Sequence, residues 1–155
     1  MKKYLLLILL ILTIGCTNNY ESEEWIPFNN GLIFNVQELE NDEEIAANLM
    51  VQYLELAKSG KIATGAWHDG RRWVNEYHPI VDFRIHEIEI RPNDDNQFIF
   101  SVYYDVKPLN WHNSDWKAGN GRIDHENEWV TSKFSFMVFE ITNEGYKFIE
   151  LASHI

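Results

Sequence analysis

The sequence predicts an α+β domain in which one helix packs across a bent antiparallel β-sheet. Three observations carry this expectation. One stretch, residues 41–58, repeats its apolar residues at helical spacing, and from residue 81 onward the period switches to two. The last strands are joined by a turn too short for the crossover a parallel pair needs. A helix followed by a run of strands, without alternation, is the α+β order. The chain of 155 residues is long enough for one domain with its own core, and 45% hydrophobic residues exclude a disordered chain.

The helix comes first. Asn41 and Glu44 have the spacing of a capping box, and Asp42, Glu43 and Glu44 favour the positive end of the helix dipole. Ile45, Leu49, Tyr53 and Leu56 recur on one side, flanked by Ala46, Met50 and Ala57. Lys58 and Lys61 suit the C-terminal end, and Gly60 suits the left-handed closing position. This stripe is wide enough to cover a sheet.

Residues 61–79 have no clear period. Gly65, Gly70 and Pro79 break them, and Trp67 and Trp73 flank Arg71-Arg72. Val81, Phe83 and Ile85 then share one face of a strand, but the apolar set jumps to Ile88 and Ile90. That parity change requires a bulge around His86-Glu87. Asp82, Arg84 and His86 fall opposite the apolar face and read as solvated. After a turn at 92–96, Phe98, Phe100, Val102, Tyr104 and Val106 alternate as the return strand, with Ile99 and Tyr103 on the other side.

A long polar connection, 107–127, precedes a strand from Glu128 to Thr142 that is apolar on both parities: Trp129, Met137, Phe139 and Ile141 on one, Val130, Phe134, Phe136 and Val138 on the other. Such a strand belongs in the middle of a twisted sheet. Asn143-Glu144-Gly145 turns the chain into a last strand from Tyr146 to Leu151.

The N-terminus reads as a leader. Met1-Lys2-Lys3 is followed by an apolar run from Tyr4 to Ile14, which as a helix spans roughly 17 Å, short of a ~30 Å hydrocarbon core. Thr13-Ile14-Gly15-Cys16 resembles the lipobox of bacterial lipoproteins, with Thr13 in place of the usual Leu. The resemblance implies that 1–15 are a signal peptide, that Cys16 carries the lipid, and that the protein sits on the membrane of a bacterial cell envelope, outside the cytoplasm. Two acyl chains on one residue suffice for stable anchoring where one does not. Residues 16–40 then form an acidic tether, with room for a short first strand at 31–36, and 41–155 the domain. Between residues 17 and 44 there are eight acidic side chains and no basic one, a charge that repels an anionic membrane surface.

From about residue 31 to the end, the element order, the bulged strand and the closing hairpin are similar to the cystatin-like and NTF2-like group of α+β domains. No sequence motif specifies this resemblance. The Gln-x-Val-x-Gly loop of cystatins has no counterpart, so protease inhibition is not carried over. NTF2-like enzymes hold a His/Asp pair in a cone-shaped pocket, which makes an acid–base enzyme or small-ligand carrier the alternative expectation.

The chemistry is otherwise sparse. A formal charge of −11 disfavours nucleic acid, and a single cysteine excludes an intrachain disulfide and a cysteine-based zinc site. Placing Gly121 at the sixth position of an EF-hand loop puts Trp116, Ala118 and Asn127 where oxygen ligands are required, so calcium by that motif fails. The histidines (His68, His78, His86, His112, His125 and His154) show no ligand spacing, and neither metal nor cofactor is expected. The candidate binding residues are Trp111, His112, Asp115 and Trp116: two indoles five residues apart in a polar loop, a pattern suited to an envelope protein or a cell-wall glycan. Burial of both rings against the sheet is the competing account. The expected function is a membrane-anchored lipoprotein acting as a non-catalytic binding or accessory module. A deep pocket would favour the alternative.

Overall fold

The computed structural model describes residues 29–36, 39–92 and 96–152, apart from the Trp67 side chain. The leader, Cys16, most of the acidic tether, the tip of the 92–96 turn and His154 lie outside the described residues.

The helix α1, Asp42–Lys58, begins as its cap chemistry dictates. Asn41 is extended (φ −97°, ψ 126°), and its Oδ1 accepts from the amides of Glu43 at 2.8 Å and Glu44 at 3.4 Å. At the other end Gly60, with φ +68°, donates to the Ala57 carbonyl and turns the chain out of the helix. The buried face is Ile45, Ala46, Leu49, Met50, Tyr53, Leu54 and Ala57. Leu54 joins this face and Leu56 sits half-buried at its edge, because a stripe this wide takes in two successive residues, Tyr53 and Leu54, before the exposed Glu55.

The helix lies on a strongly curled antiparallel sheet, which makes the domain α+β. In spatial order its strands are β1 (Ile33–Phe34), β8 (Gly145–Ala152), β7 (Trp129–Thr142), β5 (Gln97–Pro108) and β4 (Ile80–Ile90); β6 (Arg122–Asp124) pairs with the start of β7. Residues 65–76 form a separate hairpin of β2 (Gly65–His68) and β3 (Trp73–Glu76). Its turn is held by Asp69 Oδ1, which accepts from the amides of Arg71 and Arg72.

The curl comes from bulges. The β4–β5 register shifts between Ile85 and Glu87, where the parity jump demanded it, and again between Ile80 and Asp82. The second shift corrects the expected face of β4. Ile80 is buried and Val81 is 48% exposed, because Val81 is the extra residue and loses its place on the inner side. Phe83, Ile85, Ile88 and Ile90 pack half-buried under the helix, and every second residue of β5 from Phe98 to Val106 is buried.

In β7 a further shift lies opposite Tyr104 and Val106, and Ser132 takes φ +55°. Trp129 and Val130 are both buried before it; after it Lys133, Ser135, Met137 and Phe139 face inward. On the outer side of the sheet several polar groups are paired. His86 Nε2 lies 2.8 Å from Asp105 Oδ2, Asp105 Oδ1 accepts from the Ser132 amide, and the Arg84 guanidinium covers the Trp129 ring at 4.1 Å. Among the described residues, the core is drawn from positions between 32 and 151.

Candidate functional site

Between the curled sheet, the end of the helix near Tyr53 and the 115–120 segment lies a cavity of about 400 Å³. Its apolar walls come from Tyr53 on α1, Trp116, and Phe148 and Leu151 on β8. Its polar groups include Tyr104, Ser135, Asp115, Asn120, Lys133 and Glu150, with Asn29 and Thr64 beside them.

The connection between β5 and β6 forms the lid of this space. Far from being loose, it contains a 3-10 helix, Asp115–Lys117, capped by Ser114 Oγ on the Trp116 amide. The Trp116 ring is buried, and its Nε1 donates to the His78 carbonyl at 2.7 Å. Lys133 ties the same segment to the sheet from beneath. Its Nζ donates to the carbonyls of Trp116 (2.9 Å), Ala118 (3.3 Å) and Asn120 (3.1 Å). An ammonium has three protons, and all three are engaged. Asn120 adds a clamp, its side chain accepting from the Phe134 amide and donating to the Phe134 carbonyl. Gly121, at φ +110°, lets the chain pass this close: a Cβ there would stand 3.0 Å from Lys133 Cγ and 3.1 Å from the Thr131 carbonyl.

Burial sets the ionisation of the lining. It pushes Lys133 down to about 8, so the amine is still mainly charged at neutral pH. It pushes Tyr104 up to about 12, against the opposing hydrogen bond with Ser135, and it raises Tyr53 further still. Tyr104 is therefore a neutral phenol, 3.2 Å from Ser135 Oγ, and the pair offers a ligand a donor and an acceptor. Asp115 Oδ2 is buried and takes part in no hydrogen bond, although His78 Nε2 lies 3.3 Å away.

The residues singled out in the sequence divide between two places. Asp115 and Trp116 line the cavity, Trp116 as a core residue only 6% exposed. Trp111 is half-buried outside it, with the His125 ring edge-on at 5.7 Å and Lys117 Nζ 5.1 Å from its ring centre. His112 is exposed, and its carbonyl accepts from Lys117. The two indoles are thus not a pair of exposed anchors: the 3-10 turn carries Trp116 inward while Trp111 stays on the rim. Asp82, Arg84 and His86 face away from the cavity or lie at its strand's bulge, and take no part in it.

Sequence reasoning missed Tyr53, Tyr104, Lys133 and Ser135 as site residues. One signal was present. Lys133 and Ser135 are polar residues on the parity that Met137 and Phe139 mark as inward. Compared with known proteins, the chain matches no family model, no curated protein and no solved structure.

Proposed function

We propose that this protein is an envelope lipoprotein, anchored through Cys16, whose domain is a non-catalytic carrier or sensor of a small amphipathic molecule. The observation that carries the reading is the cavity of about 400 Å³, which falls in the ~300–1,000 Å³ range of small-molecule sites. A helix over a curled sheet with a pocket between them is also the architecture of the NTF2-like group, and that likeness favours pocket use over loop use.

The lining defines the ligand. Aromatic walls suit a flat or branched apolar body. Asp115 and Glu150 disfavour an anion, and the ammonium of Lys133 is turned toward backbone carbonyls. A neutral or cationic molecule bearing a hydroxyl or amine fits best. Binding suits these groups better than turnover does, since Tyr104 keeps its proton and Lys133 has no free donor.

The test uses residues 17–155 and the neutral fluorescent probe N-phenyl-1-naphthylamine. Saturable binding of one probe per chain is expected, reduced at least about tenfold by Ala118→Trp, which plugs the exposed rim without touching the core. Failure to saturate, or indifference to Ala118→Trp, overturns the reading. The anchor is tested separately: Cys16→Ser should abolish acyl labelling and membrane retention, and unchanged retention refutes that part.

A further inference from the structure

We propose that Glu76, His78 and Asp115 bind a divalent first-row transition-metal ion at the edge of the cavity. Glu76 and His78 are near neighbours in sequence, and the fold brings the distant Asp115 to them. Glu76 ends β3, His78 lies in the short link to β4, and Asp115 opens the 3-10 helix. The bond from Trp116 Nε1 to the His78 carbonyl fixes the two segments against each other. One ligand atom from each residue lies within 4.8 Å of the others; His78 Nε2 is 3.3 Å from Asp115 Oδ2 and 3.9 Å from Glu76 Oε2. Ligand atoms about 2.0–2.1 Å from a tetrahedral ion are about 3.3–3.4 Å apart, so small side-chain movements complete the geometry.

Four features separate this cluster from an ordinary surface group. Asp115 Oδ2 is buried yet accepts no hydrogen bond among the described residues, which is uncommon for a buried polar atom. His78 Nε2 stands at ion-pair distance from that oxygen, 3.3 Å, without forming a hydrogen bond to it. Among the described residues no Lys or Arg pairs with Glu76 or Asp115. Finally, Gly65 faces the site: a Cβ there would come within 2.7 Å of Asp115 Oδ2, so a side chain at this position would crowd the ligand.

One imidazole nitrogen and two carboxylate oxygens are a mixed set that suits zinc or its neighbours, and too few oxygens for calcium. Three protein ligands leave a coordination position open, and Asp115 also lines the cavity, so the open side is available to water or to a polar group of a bound molecule. The proposal does not depend on the cavity binding a small molecule.

The experiment is equilibrium dialysis of the full chain in nonionic detergent, carrying no oligohistidine tag, against zinc, with metal and protein quantified together. One zinc per chain is expected, with Co²⁺ giving a visible d–d band on substitution. His78→Gln and Asp115→Asn should each weaken zinc at least about tenfold, while His125→Gln leaves it unchanged. Circular dichroism establishes that each variant is folded. Should both variants fail to fold, Glu76→Gln, at an exposed position, decides in their place. Absence of saturable zinc up to millimolar concentration overturns the proposal, as does zinc binding that survives in the folded variants.

Discussion

Replacing Lys133 by Met tests the idea that this side chain is a fastener beneath the lid. The substitution keeps an unbranched apolar stem and removes the ammonium, leaving the carbonyls of Trp116, Ala118 and Asn120 without that donor. Hydrogen bonds to a charged group contribute about 1.5–3 kcal/mol each, so three represent roughly 5–9 kcal/mol. Against this, the fall of the Lys133 pKa from 10.5 to about 8 marks a desolvation penalty of roughly 3 kcal/mol that the variant escapes. Water entering from the cavity side satisfies part of what is lost. The net expectation is a destabilisation of about 2–4 kcal/mol. Urea titration of residues 17–155 at neutral pH, with the slope compared between the two proteins, measures it. Hydrogen exchange should show the loss of protection concentrated in residues 114–121. A change below about 0.5 kcal/mol with unaltered exchange there would refute the reasoning, since the ammonium would then be solvated and the lid held by other means.

Two further outcomes follow from burial. Between pH 8 and 10.5 the unfolded chain keeps a proton on Lys133 that the folded chain has released, so this residue makes stability rise with pH; above pH 10 the folded chain keeps the Tyr104 proton up to about 12 and stability falls. Denaturation followed across pH 8–12 should show the rise missing in Lys133→Met and the fall reduced by about 1–3 kcal/mol in Tyr104→Phe. Leu49, fully buried at the centre of α1, should cost about 2–5 kcal/mol when cut to Ala, and a chemical denaturation midpoint that does not move would place it outside the core.

How much of this was legible depended on whether the determinant is local. The start of α1 was, because Asn41 caps amides two and three residues away. The bulge at Ile85–Glu87 was, because apolar parity changes there. The bulge at Ile80–Asp82 was not: Ile80 and Val81 are equally apolar, and only pairing with β5 decides which is inside. The same ambiguity hid Lys133. Trp129 and Val130 are both buried, and the left-handed turn at Ser132 resets the alternation, so sequence parity before it does not carry past it. The hairpin at 65–76 escaped because its two strands are four residues each. Trp116 was legible as an aromatic in a polar loop but not as a core residue, since its partner His78 lies 38 residues away.

The bulges that obscured the site also made it. A helix of 17 residues is about 25 Å long, and a flat sheet beneath it would be covered throughout. Register shifts in β4, β5, β7 and β8 curl the sheet away from that line, and the gap falls beside Tyr53, at the C-terminal half of the helix. A domain under selection for stability alone would fill such a gap with larger apolar side chains. Here the inward positions hold Lys133 and Ser135, the lid presents Asp115, and one carboxylate oxygen is desolvated without a hydrogen bond. Polar groups of this kind cost about 1–3 kcal/mol each when unsatisfied, and breaches of local packing rules concentrate where a protein binds something. The Lys133 fastener fits the same logic: it keeps the lid over the gap in place without occupying the gap itself. The cavity and its edge, rather than the outer face of the 108–127 segment, are therefore where a ligand should be sought.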